Sequence, residues 1–297
     1  RIKPDTGELE PATGVTQHGR NRDDWGNWVA GNNSFGWQIA LEDHDIRRNP
    51  KVSQPSNKHG INGVIDLYPI SRVLSHYSGY KAPPAGSPGK LTSGCGYTFY
   101  RDNLFDGIIE PSVYYSCPVH NCIHREVISW NGVLMNTERA SDEARSEFLR
   151  SSDSWFRPAA IRTGPDGAMY VADLYRLVIE HPEWIDDTLE KEMIADGRLR
   201  AGHDKGRIYK IFPDSVKLHK KANLAGKGPQ ALAKLMDSPN GWQRDTAHMM
   251  LTWLDKEEQK KAIPNLHQVL NSQFPAARAQ ALSALNDLDS LWPKAMQ

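Results

Sequence analysis

Two distant stretches follow one plan: a short strand, a tight Asp/Gly turn, and a second strand closing on an amide or an acid. In QHGRNRDDWGNWVAGNNSFGWQIAL the turn is Asp24-Trp25-Gly26 and the second strand closes at Asn32. In RPAAIRTGPDGAMYVADLY the turn is Pro165-Asp166-Gly167 and the second strand closes at Asp173. Gly26 to Asn32 and Gly167 to Asp173 are both six residues apart, and a third strand follows each copy, WQIAL in one and GRIYKIF (206–212) in the other. A looser copy runs through GCGYTFYRD, PSVYYSCPVHN and CIHREVI. Such turns between short runs specify antiparallel hairpins, because Asp and Gly accept the backbone angles a tight reversal needs. Three strands so joined form a meander, the unit of a β-propeller blade. The expectation is a partial β-propeller of about three blades, with the blades that complete the ring upstream of Arg1; an ordinary β-sandwich is the alternative.

Near residues 213–222 the composition changes. Gly, Pro, Asn, Asp and Trp dominate before it; beyond about residue 223 Ala, Leu, Gln and Lys recur at helical spacing. Leu232, Leu235, Met236, Arg244, Ala247 and Leu251 are matched 34 positions later by Leu266, Val269, Leu270, Arg278, Ala281 and Leu285. Helix pairs turned at Pro239 and Pro275 predict an α-solenoid of HEAT-like repeats, which brace or bind partners rather than catalyse. The chain therefore reads as mainly β with an α tail: 1–216 a partial propeller, 217–297 helical repeats.

Lys plus Arg and Asp plus Glu both number 36, so no net field draws the chain to nucleic acid or to an anionic membrane. No apolar run approaches the roughly 18 to 20 residues that cross a bilayer, which predicts a chain that is not membrane-spanning. The start at Arg1, inside an apparent strand, reads as a piece of a longer polypeptide.

A meander sends its first turn to one end and its next connection to the other. The residues closing the second strands therefore share a rim: Asn32 and Asn33, His120 and Asn121, then Asp173, Tyr175 and Arg176. Segments entering the first strands bring Gln17, His18 and Arg20, and Trp155, Phe156 and Arg157, to the same rim. Two long insertions, 47–91 and 174–205, also lead there, and long insertions on a rigid scaffold carry function. The opposite rim holds the DWG and PDG turns, where Asp and Gly serve the backbone.

SCPVHNCIHRE places Cys117, His120, Cys122 and His124 within eight positions. Three readings stay open: a disulfide between Cys117 and Cys122 that staples the loop, two free or buried thiols, or zinc held by all four side chains. Cys95 is the odd thiol. No haem is carried by this segment, because Cys-x-x-Cys-His is missing from the sequence. His124, alternating with Arg125 on a strand, reads as a packed residue.

DDWGNWVAGNNSFGW, CPVHNCIHRE, DSWFRPAAIRTGPDGAMYVADLYRLVIEHPEWI and GRIYKI, followed by HEAT-like helices, resemble the planctomycete-type "membrane-bound dehydrogenase" family. In that family a propeller similar to the pyrroloquinoline quinone (PQQ) dependent sugar dehydrogenases precedes HEAT repeats and often a C-terminal cytochrome c domain. The resemblance implies an exported, periplasmic oxidoreductase of quinoprotein type. It would oxidise a sugar or alcohol with PQQ and Ca²⁺ and pass electrons to a cytochrome c domain or partner. In that setting His120 is expected as the base that takes the hydroxyl proton. Arg176 and Arg157 are expected to anchor carboxylates, Arg176 at the reacting centre. Asn32, Asn33 and Asp173 would bind substrate hydroxyls or Ca²⁺, with Asn121 and Trp155 beside the cofactor. Before PVHN, where the family tends to carry an acidic residue, this chain has Cys117. The rival expectation is a non-catalytic module, its rim holding a partner protein or stacking Trp25, Trp28, Trp37, Trp155 and Trp184 on a glycan.

Overall fold

The protein is described by a computed structural model of the 297-residue chain, covering Ile2, residues 6–9, 16–40, Lys51, 58–84 and 87–291. Residues 47–50 and 52–57 of insertion 47–91 lie outside the described residues, as do the blades expected upstream of Arg1.

All three expected meanders form. The first sheet runs in order through β1 (Arg20–Arg22), β2 (Trp28–Gly31), β3 (Gly36–Ile39) and β4 (Lys58–Gly60). Its first turn is set by Asp23, whose Oδ1 accepts the backbone N–H groups of Trp25 and Asn27 at 2.8 Å each. Gly26 there takes a φ of 86°, a region that side chains with a Cβ avoid. Two short strands, β5 (Asp66–Leu67) and β6 (Gly89–Lys90), pair within the first insertion. The second sheet holds β7 (Cys95–Phe99), β8 (Ser112–Cys117) and β9 (Cys122–Asn131), with β10 (Leu134–Arg139) and β11 (Leu149–Arg150) both paired to β9. The third is β12 (Pro158–Thr163), β13 (Met169–Asp173) and β14 (Arg207–Ile211).

The first strands of the three meanders lie side by side, β7 between β1 and β12. Asn21 donates its amide to the Tyr97 carbonyl, and Gly96 backs so closely onto β12 that a Cβ would lie 2.9 Å from the Ala159 oxygen. Val29, Leu67, Tyr97, Tyr115 and Met135 fill one core, and Tyr114, Ile123, Phe156, Ile161 and Val171 fill a second beneath the third sheet. Each such side chain contributes roughly 1.5–3 kcal/mol by leaving water.

Helix α1 (Asp187–Ala195) sits in the second insertion, its first N–H groups capped by the Asp186 carboxylate. The tail holds α2 (Pro229–Leu235), α3 (Gly241–Thr252), α4 (Lys256–Lys260), α5 (Ile263–Val269) and α6 (Pro275–Asp287). The pair α2–α3 recurs as α5–α6 with the 34-residue period, and the repeated arginine makes a repeated bond. Arg244 donates to the Ser238 carbonyl and Arg278 to the Ser272 carbonyl, both at 2.7 Å. Helix α4 was not legible: KEEQK is one turn of charged and amide residues, and an Asp255 cap rather than an apolar stripe starts it.

The tail packs on the turn ends of the meanders. Fully buried Arg244 reaches Asp24 of the first turn, and Arg101, just after β7, pairs with Asp24 at 2.7 Å and forks onto Asp245 at 2.5 and 3.1 Å. Asn240 donates to the Asp102 carboxylate and, at 2.8 Å, to the Gly164 carbonyl of the third turn. The chain is thus mainly β with an α tail, and no helix among the described residues is long and apolar enough to cross a membrane.

Candidate functional site

The hairpin between β8 and β9 closes on Cys117 and Cys122, which face each other in register. Its loop ends at Asn121, whose φ of 53° is a left-handed angle that Asn tolerates better than most residues. The Asn121 amide donates to the carbonyls of Phe156 at 2.6 Å and Ser154 at 3.0 Å, and its oxygen accepts the Ser71 hydroxyl at 2.7 Å. This fixes the preceding residue, His120, which is fully buried. Its Nδ1 lies 3.1 Å from Cys117 Sγ and its Nε2 lies 3.0 Å from the Tyr80 hydroxyl. On β6 only a glycine fits behind the ring, since a Cβ on Gly89 would stand 2.1 Å from Nε2.

Tyr80 opens onto a cavity of about 370 Å³ at the strand-closing rim. Gln17 and Asn33 of the first meander line it, with Ser75 and Tyr77 from the first insertion, Ser93, and Glu180 and Trp184 from the second insertion. Both insertions therefore reach the rim that the meander geometry predicts. Burial, aided by nearby Cys117, pushes the Tyr80 hydroxyl up to about 12, so it keeps its proton at neutral pH. Burial would also push the Cys117 thiol up, but hydrogen bonds from Cys122, His120 and Ser93 and the charge of His120 outweigh it and hold that thiol well below its ordinary value. Burial and the bond to Cys117 push Cys122 up, and burial takes Cys95 up to about 12. Glu180 is opposed by burial, yet hydrogen bonds from His76 and Ser75 hold it at about 2, which leaves a permanent carboxylate on the wall.

A second cavity of about 520 Å³ adjoins the first, sharing Ile179 and Glu180, and takes in Asp173, Arg176, Arg200 and His203. Of the residues expected at a site, the structure gathers Asn33 and His120 at the first cavity, and Arg176 and Asp173 at the second. The others support the rim. Arg157, expected to anchor a cofactor, is fully buried; its guanidinium donates to the carbonyls of Pro118 and Leu177 at 2.9 Å and of Arg176 at 3.0 Å. Asn32 accepts the N–H groups of Ser34 and Phe35 at 2.9 Å each, and Trp155 packs against Tyr175 with ring centroids 5.8 Å apart. Among the other tryptophans, Trp28 lies under Arg20 and Trp37 under Lys58, and Trp25 sits at the far end of the first sheet.

Zinc finds no ligand set among the described residues. His124 turns from the cysteines toward Glu147 and Glu126, and Cys117 and Cys122 are free cysteines, not a disulfide. Asp173 Oδ1 accepts the N–H groups of Arg157 at 2.7 Å and Tyr175 at 2.8 Å, while Oδ2 is buried without a hydrogen-bond partner. Among the described residues no three His, Cys, Asp or Glu side chains stand where one ion would join them. Tyr80, Ser93 and Glu180 were not legible as site residues: they lie on connections whose destination the sequence indicates, but no spacing ties them to His120.

Fully buried His124 lies 2.5 Å from Glu147 and 3.5 Å from Glu126. Burial opposes its charge, but hydrogen bonds to both carboxylates raise its pKa; burial likewise opposes Glu126, whose bonds from His124, Thr137 and Asn62 lower its pKa. Stability supplied by His124 is full below its unfolded pKa and is lost as pH rises through the raised folded value. That supplied by Glu126 is present above its unfolded pKa and is lost as pH falls through the lowered one. Urea midpoints across a pH series should therefore peak between these limits, and His124→Gln should flatten the alkaline fall; an unchanged alkaline limb would show that His124 is neutral in the fold.

These features define a class: a protein of antiparallel meanders with a helical tail, whose strand-closing rim bears a pocket over a buried Cys–His pair. The chain belongs to the DUF7133 family, a domain of unknown function whose model matches residues 1–215. No curated protein and no solved structure matches it.

Proposed function

We propose that the protein is an exported oxidoreductase of quinoprotein type that acts on a sugar or alcohol, with the Tyr80 cavity as its substrate pocket. The observation that carries the reading is the chain of contacts from cavity to core: Tyr80 hydroxyl, His120 Nε2 at 3.0 Å, then His120 Nδ1 to Cys117 Sγ at 3.1 Å. Oxidation of an alcohol releases a proton from the hydroxyl as hydride leaves carbon. Here the substrate hydroxyl gives its proton to the Tyr80 oxygen while Tyr80 passes its own to His120 Nε2. Nδ1–H donates to Cys117, which leaves Nε2 as the nitrogen that accepts the proton. Glu180 accepts hydrogen bonds from other hydroxyls of the substrate. A carboxylated quinone such as PQQ would be held by Arg176 and Arg200 of the adjoining cavity, and when bound supplies the hydride acceptor.

The side-by-side first strands support reading the meanders as part of a β-propeller, and the recurring helix pairs support HEAT-like repeats. A cytochrome c domain or partner is the proposed electron acceptor. The second reading, a glycan-binding module without turnover, rests on Trp184, which lines the same cavity and is 52% exposed. The test is reduction of an artificial electron acceptor over a panel of sugars and alcohols, with and without PQQ. Turnover that requires PQQ is the expected result; sugar binding without turnover under either condition would replace the enzyme by the module.

A further inference from the structure

At the opposite end of β1 and β2 from the rim lies a cavity of about 620 Å³, larger than either rim cavity, between the first meander's turn and the helical tail. Trp25 stands at its lip, 62% exposed, yet it is not on a loose loop. Asp23 Oδ1 accepts the Trp25 N–H at 2.8 Å, and Asp23 Oδ2 accepts the Asn27 amide at 2.7 Å, so the turn that presents the indole is pinned on both sides. The turn chemistry requires Asp and Gly but nothing aromatic; the third meander has Asp166 where this one has Trp25.

The facing wall is one side of α6. Gln280, Ser283 and Asp287 follow the spacing of three and four that puts helical residues on a common face, with Asn286 beside them. His248 of α3 joins this wall, its Nδ1 3.0 Å from the Gln280 amide and its Nε2 3.1 Å from Asp287. The Arg22 guanidinium and the Asn286 amide also line the cavity. Arg101 on the floor is committed to Asp24 and Asp245.

We propose that this cavity is a second ligand site, distinct from the rim, that binds a neutral saccharide. An exposed, rigidly held indole calls for a ligand with a flat C–H face. The opposite wall offers hydroxyl, amide, imidazole and carboxylate groups, a mixture of donors and acceptors that matches a ring of hydroxyls. Its charges are mixed, Arg22 against Asp23 and Asp287, so no cation cluster selects a phosphate, and its polarity rejects a lipid. The volume falls in the ordinary small-molecule range of about 300–1,000 Å³. A sugar lying between Trp25 and α6 touches both the sheets and the tail, so its binding raises the stability of their junction.

The experiment uses the whole chain with maltotriose, cellotriose, xylotriose and mannotriose, read by thermal shift and tryptophan fluorescence. At least one trisaccharide should raise Tm and perturb the fluorescence. Trp25→Ala, a change on an exposed turn, should weaken that binding by about tenfold or more, whereas Trp184→Ala at the rim should leave it unchanged. Asn286→Ala should weaken it without changing Tm of the free protein. Binding that survives Trp25→Ala, that is lost instead with Trp184→Ala, or that occurs with none of the four sugars overturns the proposal. None of these readouts depends on turnover, so the site stands or falls apart from the proposed oxidoreductase activity.

Discussion

Tyr80→Phe should lower turnover by roughly 10²–10⁴-fold, the usual worth of a positioned acid–base group, with little loss of stability. The substitution keeps the ring and deletes the single atom that joins the cavity to His120. His120→Ala should abolish turnover, but it also removes one of the hydrogen bonds to the fully buried Cys117 and opens a hole there, an expected cost of about 1–3 kcal/mol. The two variants therefore separate chemistry from folding. If both lose turnover and only His120→Ala loses stability, the relay stands. Unchanged turnover in Tyr80→Phe would remove Tyr80 from the mechanism, and unchanged turnover in folded His120→Ala would remove the base. Cys117→Ser should keep activity, since a hydroxyl on Nδ1 still accepts the bond that leaves Nε2 free to take the proton; loss of turnover in the folded variant would show that the sulfur itself is required.

The second large effect concerns the junction of sheets and tail. Asp24→Ala removes the carboxylate shared by Arg101 and Arg244, and it strands the fully buried Arg244 with only carbonyl partners. Breaking one side of a buried ion pair costs about 3–5 kcal/mol, because the remaining charge stays out of water unpaired. Chemical denaturation should show that loss as a lower midpoint. Arg244→Met, which removes the charge and keeps much of the volume, should cost clearly less. Equal losses in the two variants would mean that packing rather than charge holds this junction.

Much of this architecture is legible from one chain because turns and periods are local. The Asp-Trp-Gly and Pro-Asp-Gly turns fix where β1 meets β2 and β12 meets β13, and a 34-residue recurrence of Leu, Arg and Ala fixes two helix pairs. The site was partly legible for a related reason: residues closing second strands share a rim, which brings Asn33 and Arg176 to neighbouring cavities and His120 behind Tyr80. What a sequence does not display is how a side chain spends its hydrogen bonds. Arg157 and Arg176 look alike in the chain, yet one is enclosed by carbonyls and the other lines a cavity. Tyr80 meets His120 across forty residues, and only the folded backbone sets that encounter.

The buried charges at the turn ends also bear on how such chains can be recombined. The family match stops at residue 215, whereas Asn240, Arg244 and Asp245, which hold Asp24, Arg101 and Asp102, lie beyond it. The segment the family model matches is thus shorter than the segment these contacts join. A graft of residues 1–215 onto a different partner inherits a vacant socket of opposed charges on the face away from the rim, and the new partner must present its own arginine and carboxylate there to fill it.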